Sequence, residues 1–189
     1  LPNSYNSVEN ITPLETPLSS TINGAALATP VFLSLYVEND LRLDKYFAET
    51  DEKGFRKNKK AGSNNYLCTF RVGEIYLTAA EAAARLGELS QARTRLLELM
   101  RKRYAPEAYE AKSVVVNAMD KEALVQEILD ERARELAFEG HRWFDLRRST
   151  RPRLEKVLDG TRYVLEENDA RYTLAIPKEA IEANPGLLN

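Results

Sequence analysis

Histidine and cysteine are almost absent from this sequence, each occurring once, as His141 and Cys68. A single cysteine excludes an intramolecular disulfide bond, and the hydrophobic neighbours Leu67 and Phe70 favour a small buried side chain over a reactive thiol. A single histidine excludes a histidine-based metal cluster, and a serine–histidine–aspartate triad through His141 would require it to leave its predicted helix. His141 is therefore interpreted as a packing or helix-surface residue.

Glycine-rich and metal-ligating motifs are also missing. The eight glycines are scattered along the chain, so no phosphate-binding loop is present. Asn168 and Asp169 offer two oxygen ligands on one turn, fewer than the roughly six to eight that calcium takes. We therefore expect neither a metal site nor a cofactor.

Long hydrophobic runs are lacking as well. The longest, residues 25–37, is interrupted by polar residues and by Pro30, and it is far shorter than the roughly 20 residues that span a bilayer. The N-terminus also lacks the basic segment, hydrophobic segment and cleavage site of a signal peptide. The sequence thus predicts no transmembrane helix.

No charge of one sign dominates, since 27 Lys and Arg residues face 29 Asp and Glu residues, a formal net charge of -2. Such a chain has no global field that would attract DNA or an anionic membrane. With 30% charged and 43% hydrophobic residues in 189, the composition is typical of one soluble, helix-rich domain or of a fragment of a larger protein.

The most informative stretch is residues 121–148, KEALVQEILDERARELAFEGHRWFDLRR. Its periodicity predicts one amphipathic helix of about seven turns with Asp120 as N-cap. One face of this helix carries Leu124, Ile128, Arg132, Leu136, Glu139 and Trp143. Charged residues crowd its second half beside Phe138, Trp143 and Phe144, and charges beside large aromatic residues are expected to be buried and paired. These charged residues are Glu131, Arg132, Glu135, Glu139, Arg142, Asp145, Arg147 and Arg148.

Arginine is suited to such pairing because its planar guanidinium group can bind a carboxylate with two hydrogen bonds. Three pairs have helical spacing: Glu131 with Arg134, Arg132 with Glu135, and Glu139 with Arg142. We therefore expect a network of ion pairs that locks helix to helix.

Two functional interpretations compete with this structural one. Glu135 and Glu139 could be the acid and the nucleophile of a glycosidase, but two carboxylates among arginines would both stay ionised, whereas that mechanism needs one protonated carboxyl group. The arginines could instead bind phosphates, but the interleaved carboxylates argue against a nucleic-acid surface.

A second helical pattern begins at Phe70. One face carries Val72, Ile75, Tyr76, Ala79, Ala80, Ala83 and Leu86, and Gly87 ends the helix. Ser90 is predicted to cap a further helix that reaches about Tyr104, ahead of Pro106. Two helices joined by a Leu-Gly turn, with small alanines between them, are typical of a tetratricopeptide repeat, which must stack on neighbouring helices.

The remaining N-terminal segments give weaker signals. Residues 1–23 are predicted to be irregular, and residues 24–36 are ambiguous between a short helix and an extended segment because Pro30 breaks the run. Residues 36–47 are predicted to end in a short helix capped by Asn39 or Asp40, with Leu41, Tyr46 and Phe47 turned inward. Residues 49–65 indicate a solvated loop.

Towards the C-terminus, residues 105–119 are predicted to be a loop with a brief extended piece. Residues 153–158 suggest a short helical turn, and residues 162–166 and 171–176 alternate as the two strands of a small hairpin. Residues 178–183 are predicted to form a last short helix that follows Pro177.

Three segments resemble the SusD/RagB family of bacterial surface lipoproteins, and they follow one another along the chain in the order that the family has. ILDERARELAFEGHRWFDLRR, residues 128–148, resembles the signature helix of the family. FRVGEIYLTAAEAAARLGELSQA, residues 70–92, is similar to its penultimate helical-repeat segment, and YTLAIPKEAIEANPGLLN, residues 172–189, to its C-terminal tail. The segment NDLR, residues 39–42, also resembles a family loop with Asp-x-Arg.

The resemblance implies a mainly α, tetratricopeptide-like helical-repeat domain with a small C-terminal β-hairpin. Residues 70–189 would form the C-terminal helical domain of the family, on which the irregular, loop-rich residues 1–69 pack. The chain would be a single domain and the C-terminal portion of a longer protein, with the export signal and the lipidated cysteine upstream of Leu1. The residues of the signature helix would be structural: Glu131, Arg132, Glu135, Glu139, Arg142, Trp143, Asp145 and Arg148.

The resemblance also implies a function. The protein would capture oligosaccharides at the outer membrane, on the cell surface, for uptake through a SusC-like TonB-dependent transporter, and it would not be an enzyme. The alternative is a generic helical-repeat scaffold that binds a protein or peptide in its concave face. Glycan-binding residues stay unassigned, since aromatic rings that stack on sugars are hard to distinguish from packing residues. Seven tyrosines lie in or near predicted loops: Tyr5, Tyr36, Tyr66, Tyr104, Tyr109, Tyr163 and Tyr172.

Overall fold

The computed structural model describes residues 8–15, 27–60, 66–158, 160–184 and 186. The chain divides into two compact units, Leu1–Arg142 and Trp143–Asn189, and each is described separately. In chain order the first unit contains β1 (Asn10–Glu15), β2 (Leu27–Ala28), α1 (Pro30–Leu33), α2 (Leu43–Tyr46), β3 (Phe47–Thr50), β4 (Arg56–Asn58), β5 (Tyr66–Arg71), α3 (Val72–Leu86), α4 (Leu89–Met100), α5 (Pro106–Ala118) and α6 (Lys121–Glu135). Helix α7 (Arg142–Arg148) begins at the boundary, and β6 (Leu154–Leu158), β7 (Thr161–Leu165), a 3₁₀ turn (Ala170–Tyr172) and α8 (Lys178–Ala183) follow it.

Helices α3 and α4 form the predicted helical hairpin. Gly87 ends α3 with φ +87°, a left-handed conformation that glycine adopts without a steric penalty. The buried face of α3 is rotated from the predicted one, because Ile75 and Leu86 are exposed while Leu77 is fully buried. Helix α4 begins at Leu89, and the predicted Ser90 cap is wrong because the N-cap position is Glu88. Four small alanines are buried in the two helices, as the repeat pattern requires: Ala80, Ala83, Ala84 and Ala92.

Helix α5 corrects the prediction of a loop at residues 105–119. Pro106 occupies the first turn, where its missing N–H costs no hydrogen bond, and Val116 is fully buried on the inner side. Helix α6 starts at the predicted N-cap, Asp120, whose carboxylate accepts a hydrogen bond from the Ala123 N–H. Helix α6 packs mainly on α3. The shared core contains Leu77, Leu96, Met100, Val116, Leu124 and Ile128.

The predicted single helix over residues 121–148 is wrong, because α6 ends at Glu135 and a turn separates it from α7. In this turn Phe138 and Gly140 have left-handed backbones, with φ of +62° and +85°. The last carbonyl oxygens of α6 are bound by side chains from elsewhere in the chain, which satisfies acceptors that a continuing helix would have used. Lys60 Nζ and Arg71 Nη2 both donate to the Glu135 carbonyl, at 2.7 and 2.5 Å.

Residues 27–60 form a small layer around an aromatic cluster. Edge-to-face contacts join Phe32, Tyr36, Phe47 and Phe138. Pro30 is the first residue of α1 and does not break the segment. Thr29 caps this helix, because its hydroxyl oxygen accepts a hydrogen bond from the Phe32 N–H. This cluster joins α1 and the start of β3 to the turn that follows α6.

Three further details of this layer differ from the predictions. Helix α2 has Arg42 at its N-cap position, not Asn39 or Asp40, and Leu41 is 47% exposed, although Tyr46 and Phe47 are buried as expected. The supposed solvated loop includes β3 residues and β4, which pair with each other, while β4 also pairs with β2. The end of that segment, residues 61–65, lies outside the described part of the chain.

Strand β1 lies within the segment predicted to be irregular and pairs antiparallel with β5. The rest of that segment, residues 1–7 and 16–23, is not described. Cys68 belongs to β5, opposite Pro13. The side chain of Cys68 is not among those that the structure describes, so its burial stays a prediction.

The second unit is built on a β-hairpin that lies one segment earlier than predicted. Residues 153–158 contain strand β6 instead of a helical turn, and β6 pairs with β7 from Leu154 opposite Leu165 to Leu158 opposite Thr161. Residues 171–176 are not a strand, since Arg171 is in the 3₁₀ turn. Tyr172 is fully buried and stacks on Trp143, with ring centroids 5.2 Å apart.

The chain is mainly α, with a tetratricopeptide-like repeat and a small C-terminal hairpin, which confirms the predicted fold class. Helix α8 also forms where expected. Across the described ranges, no helix is both long enough and apolar enough to cross a membrane.

Candidate functional site

Glu135, the last residue of α6, lies at the centre of a buried network of charges. Its carboxylate accepts hydrogen bonds from three guanidinium groups. Arg42 Nη1 lies at 3.0 Å, Arg71 Nη1 at 2.5 Å and Arg103 Nε at 3.0 Å. The side chains of Glu135, Arg42 and Arg71 are 0%, 2% and 1% exposed, so these charges are removed from water.

The three arginines come from three separate segments. Arg42 immediately precedes α2, Arg71 ends β5 and is the N-cap residue of α3, and Arg103 lies in the turn after α4. These three arginines therefore join α6 to loops and to a strand end. The predicted pairing of helix to helix is made by Lys112 of α5, whose Nζ lies 3.0 Å from Glu127 Oε1 of α6.

Glu131 forms a second centre one turn earlier on α6. It accepts hydrogen bonds from Arg42 Nη1 at 2.6 Å, from Arg134 Nε at 2.8 Å and from the Tyr104 hydroxyl at 2.9 Å. The predicted pair of Glu131 and Arg134 is thus confirmed. Arg42 is fixed in turn by Asp40, whose two carboxylate oxygens lie 2.9 and 2.8 Å from Nε and Nη2.

Glu139 forms a third centre in the turn after α6. Its carboxylate accepts hydrogen bonds from Arg71 and from Lys60. Lys60 Nζ also donates to the carbonyls of Glu135 and Ala137, and it lies 4.2 Å from the centre of the Tyr46 ring. The predicted pairing of Glu139 with Arg142 stays a prediction, although the turn between α6 and α7 removes the helical spacing on which it was based.

Gly73 is required by this geometry. A Cβ atom at this position would lie 2.7 Å from Arg71 Nη1 and 2.9 Å from Glu135 Oε1. Both distances are shorter than van der Waals contact, and both neighbours are held by hydrogen bonds. The absence of a side chain at Gly73 therefore allows Arg71 to reach Glu135.

The carboxylates of the network are ionised. Burial alone would raise the pKa of Glu131, but Arg42 and Arg134 outweigh burial and hold its pKa at about 2. Burial is likewise outweighed at Glu135, where the three arginines hold the pKa well below its ordinary value, and at Glu139, whose pKa is lowered by Lys60 and Arg71. Neither Glu135 nor Glu139 is held protonated, as a glycosidase acid must be.

Lys60 differs from the arginines of the network because its pKa is lowered and theirs are raised. Burial lowers its pKa, Glu139 opposes this shift, and Arg71 adds to it, which leaves the pKa at about 8. The C-terminal end of a helix favours a positive charge, and here the carbonyl groups of Glu135, at the end of α6, and of Ala137, in the turn after it, accept hydrogen bonds from Lys60.

The other residues of the predicted signature helix lie outside these three centres. Arg132 is buried, and its Nη1 lies 3.2 Å from Thr78 Oγ1 on α3. Trp143, Asp145 and Arg148 belong to the second unit, where Asp145 binds Arg148 at 2.7 Å. Arg142 is the first residue of α7.

Sequence reasoning missed the arginines and the lysine that surround Glu135 and Glu139. Helical spacing can only identify partners on the same helix, whereas Arg42, Arg71 and Lys60 are 93, 64 and 79 residues from the carboxylates that they bind. Two signals were nevertheless present: the Asp40-x-Arg42 motif, and Gly73 in the first turn of a predicted helix.

The tyrosines of the predicted loops divide into two groups. Tyr36, Tyr104 and Tyr172 are buried packing residues, whereas Tyr109 is partly buried and Tyr163 is 56% exposed. Tyr5 and the side chain of Tyr66 lie outside the described residues. Within the described ranges, no group of three His, Cys, Asp or Glu side chains is arranged to hold a metal ion.

The repeat hairpin and the network define a tetratricopeptide-like helical domain whose buried charges bind one another. The sequence model of the SusD family matches residues 33–189, and the chain belongs to this family.

Solved structures have the same fold. A SusD superfamily protein from Bacteroides fragilis superposes with a TM-score of 0.67 and 21% identity over 98% of this chain and 48% of that chain. One from Bacteroides thetaiotaomicron gives 0.67 and 22% over 94% and 47%. A SusD-like carbohydrate binding protein from Bacteroides vulgatus gives 0.56 and 20% over 83% and 40%. The chain thus spans less than half the length of these structures, and a search of curated proteins finds no match.

Proposed function

We propose that the protein captures oligosaccharides at the bacterial cell surface and passes them to a SusC-like TonB-dependent transporter, without making or breaking a bond. Membership of the SusD family over residues 33–189 is the observation that carries this proposal. A structural relative of the same fold is a carbohydrate binding protein, which supports the choice of ligand class. Anchoring by a lipid upstream of this chain, at the outer membrane, is part of the same proposal.

The buried network supports this function by stiffening the domain. A protein that holds a ligand over a transporter needs binding loops in fixed positions, because ordering them on binding would cost affinity. Glu131, Glu135 and Glu139 tie the loops around Arg42, Lys60 and Arg103 to the end of α6. We assign these residues, together with the remainder of the signature helix, a structural role.

The electrostatics support binding without catalysis. Hydrolysis of a glycosidic bond uses one protonated and one ionised carboxyl group on either side of the bond. Glu135 and Glu139 are both ionised, and each is bound to buried cations that leave it no role in proton transfer. We therefore expect that the protein does not hydrolyse a chromogenic glycoside.

The test is isothermal calorimetry of the complete protein with a panel of neutral oligosaccharides, followed by a glycan array. Binding of at least one glycan, with no release of reducing ends, is the expected result. Binding of unrelated peptides without any glycan would favour the helical-repeat scaffold and overturn the proposal. Copurification with a TonB-dependent transporter from native membranes tests the partner separately.

A further inference from the structure

A concavity lies at the corner between α4 and α5, within the first unit. It has a volume of about 410 Å³ and is lined by Arg101, Tyr104, Pro106, Tyr109 and Glu110. This volume lies in the range of small-molecule pockets, roughly 300–1,000 Å³.

The charged groups of the concavity are unlike those of the buried network. Arg101 and Glu110 are exposed, and neither side chain has a hydrogen bond or ion pair with any other part of the chain that the structure describes. The ring of Tyr109, by contrast, is partly buried and packed against the hydrophobic core. The concavity therefore combines a fixed aromatic ring with a free donor and a free acceptor.

The pair of opposite charges affects the type of ligand that the concavity can bind. The charges of Arg101 and Glu110 cancel, so the concavity has no net charge that would select an anion or a cation, and it can accept a neutral molecule. A sugar ring is neutral, presents an apolar face that packs on an aromatic ring, and carries hydroxyl groups that accept from arginine and donate to a carboxylate.

We propose that the concavity between α4 and α5 is a binding site for one ring of a neutral oligosaccharide, stacked on Tyr109 and hydrogen-bonded to Arg101 and Glu110. This inference rests on the proposed function, since it gives that function a site in this chain. Tyr104 fixes the floor of the site, because its hydroxyl is bound to Glu131.

The experiment is calorimetry of the complete protein with malto-, cello-, xylo- and manno-oligosaccharides, for the native sequence and four variants. Tyr109→Ala should weaken the affinity for the bound sugar about tenfold, whereas Tyr109→Phe, which keeps the ring, should weaken it much less. Arg101→Ala and the matched control Tyr163→Ala, at an exposed tyrosine of the hairpin, complete the set. Thermal unfolding of each variant separates a loss of binding from a loss of fold.

The expected result is weaker binding for Tyr109→Ala and Arg101→Ala, and unchanged binding for Tyr163→Ala, with all four variants folded. If a sugar binds and the Tyr109→Ala and Arg101→Ala variants bind it as tightly as the native protein, the site is elsewhere and this inference is wrong while the proposed function stands. If no sugar of the panel binds the native protein, both are wrong for neutral glycans. If Tyr109→Ala unfolds, Arg101→Ala decides by the same criterion.

Discussion

Arg71 Nη1 lies 2.5 Å from Glu135 Oε1, in a contact between side chains that are 1% and 0% exposed. Each of these residues has further partners, since Arg71 also binds Glu139 and Glu135 also binds Arg42 and Arg103. Removal of a single charge would therefore leave several others buried without compensation.

Glu135→Gln tests this dependence. The substitution keeps the size of the side chain but leaves the positive charges of Arg42, Arg71 and Arg103 without their shared carboxylate. We expect the free energy of unfolding in urea to fall by about 3–5 kcal/mol, as when one partner of a buried ion pair is removed. Glu98→Gln is the control, because the exposed pair of Glu98 with Arg95 should contribute about 0–1 kcal/mol. Equal effects of the two substitutions would contradict the assigned role of Glu135.

Gly73→Ala tests the space between Arg71 and Glu135. The added methyl group would meet both side chains at less than 3 Å, so we expect a loss of about 1–3 kcal/mol in unfolding free energy. Ala82→Leu, at an exposed position of the same helix, should change it by about 0.5 kcal/mol or less. Alanine has a higher helix propensity than glycine, which alone would make Gly73→Ala more stable. A gain in stability would therefore show that the added methyl group does not clash with Arg71 and Glu135.

Acid should unfold the protein through its buried carboxylates. The pKa of Glu131 is about 2 in the folded chain against an ordinary value of 4.5, so its contribution to stability is fully present above pH 4.5 and is lost as the pH falls towards 2. The lowered pKa values of Glu135 and Glu139 act in the same direction. Urea midpoints measured from pH 7 to pH 2.5 should fall steeply below pH 4.5. The slope should be shallower for Glu131→Gln, and an identical slope would exclude Glu131 as a source.

Lys60 should titrate near pH 8 instead of near its ordinary pKa of 10.5. Because the unfolded chain holds this proton more tightly, the Lys60 contribution makes the folded state more stable as the pH rises from 8 to 10.5. NMR of protein labelled with ¹³C at the lysine side chains should show one lysine signal with a midpoint near 8, absent from the Lys60→Arg variant. If every lysine titrates above pH 10, the described burial of Lys60 is incorrect.

The stack of Trp143 on Tyr172 should hold the second unit together. Tyr172→Ala removes a fully buried ring and should cost about 3–5 kcal/mol. Tyr172→Phe removes only the hydroxyl group, which donates to the Pro152 carbonyl, and should cost about 1 kcal/mol. Trp143 is the only tryptophan, so its fluorescence reports directly on this contact. A red-shifted emission is expected for Tyr172→Ala at low urea, and unchanged emission would argue against the stack.

Local signals in the sequence were sufficient to predict the helical hairpin and two helix ends. The α3–α4 hairpin, its Gly87 terminus and the Asp120 cap follow from short-range patterns. Helix α5 was missed because Val114 and Val115, which favour strands, outweighed the start signal of Pro106. Both valines are exposed, so they supplied no useful periodicity.

The end of α6 and the partners of its glutamates could not be derived in this way. The helix stops after Glu135 where distant side chains bind its last carbonyl groups, among them the Tyr36 hydroxyl, which binds the Arg134 carbonyl at 2.8 Å. A pattern of charges within one helix predicts that the charges are paired, and it correctly predicted Glu131 with Arg134. It does not reveal that Arg71 or Lys60 will arrive from another segment.

The spacing of these contacts along the chain affects the order of folding. Glu135 is 93, 64 and 32 residues from Arg42, Arg71 and Arg103, so its environment is complete only after three long loops have closed. We expect such contacts to form late, and the α3–α4 hairpin, whose residues are neighbours in the sequence, to form early. Interactions that are absent from the folding transition state act mainly by slowing unfolding. The ion pairs around Glu135 should thus govern how long the native domain persists, and a pulse of protease would measure that lifetime.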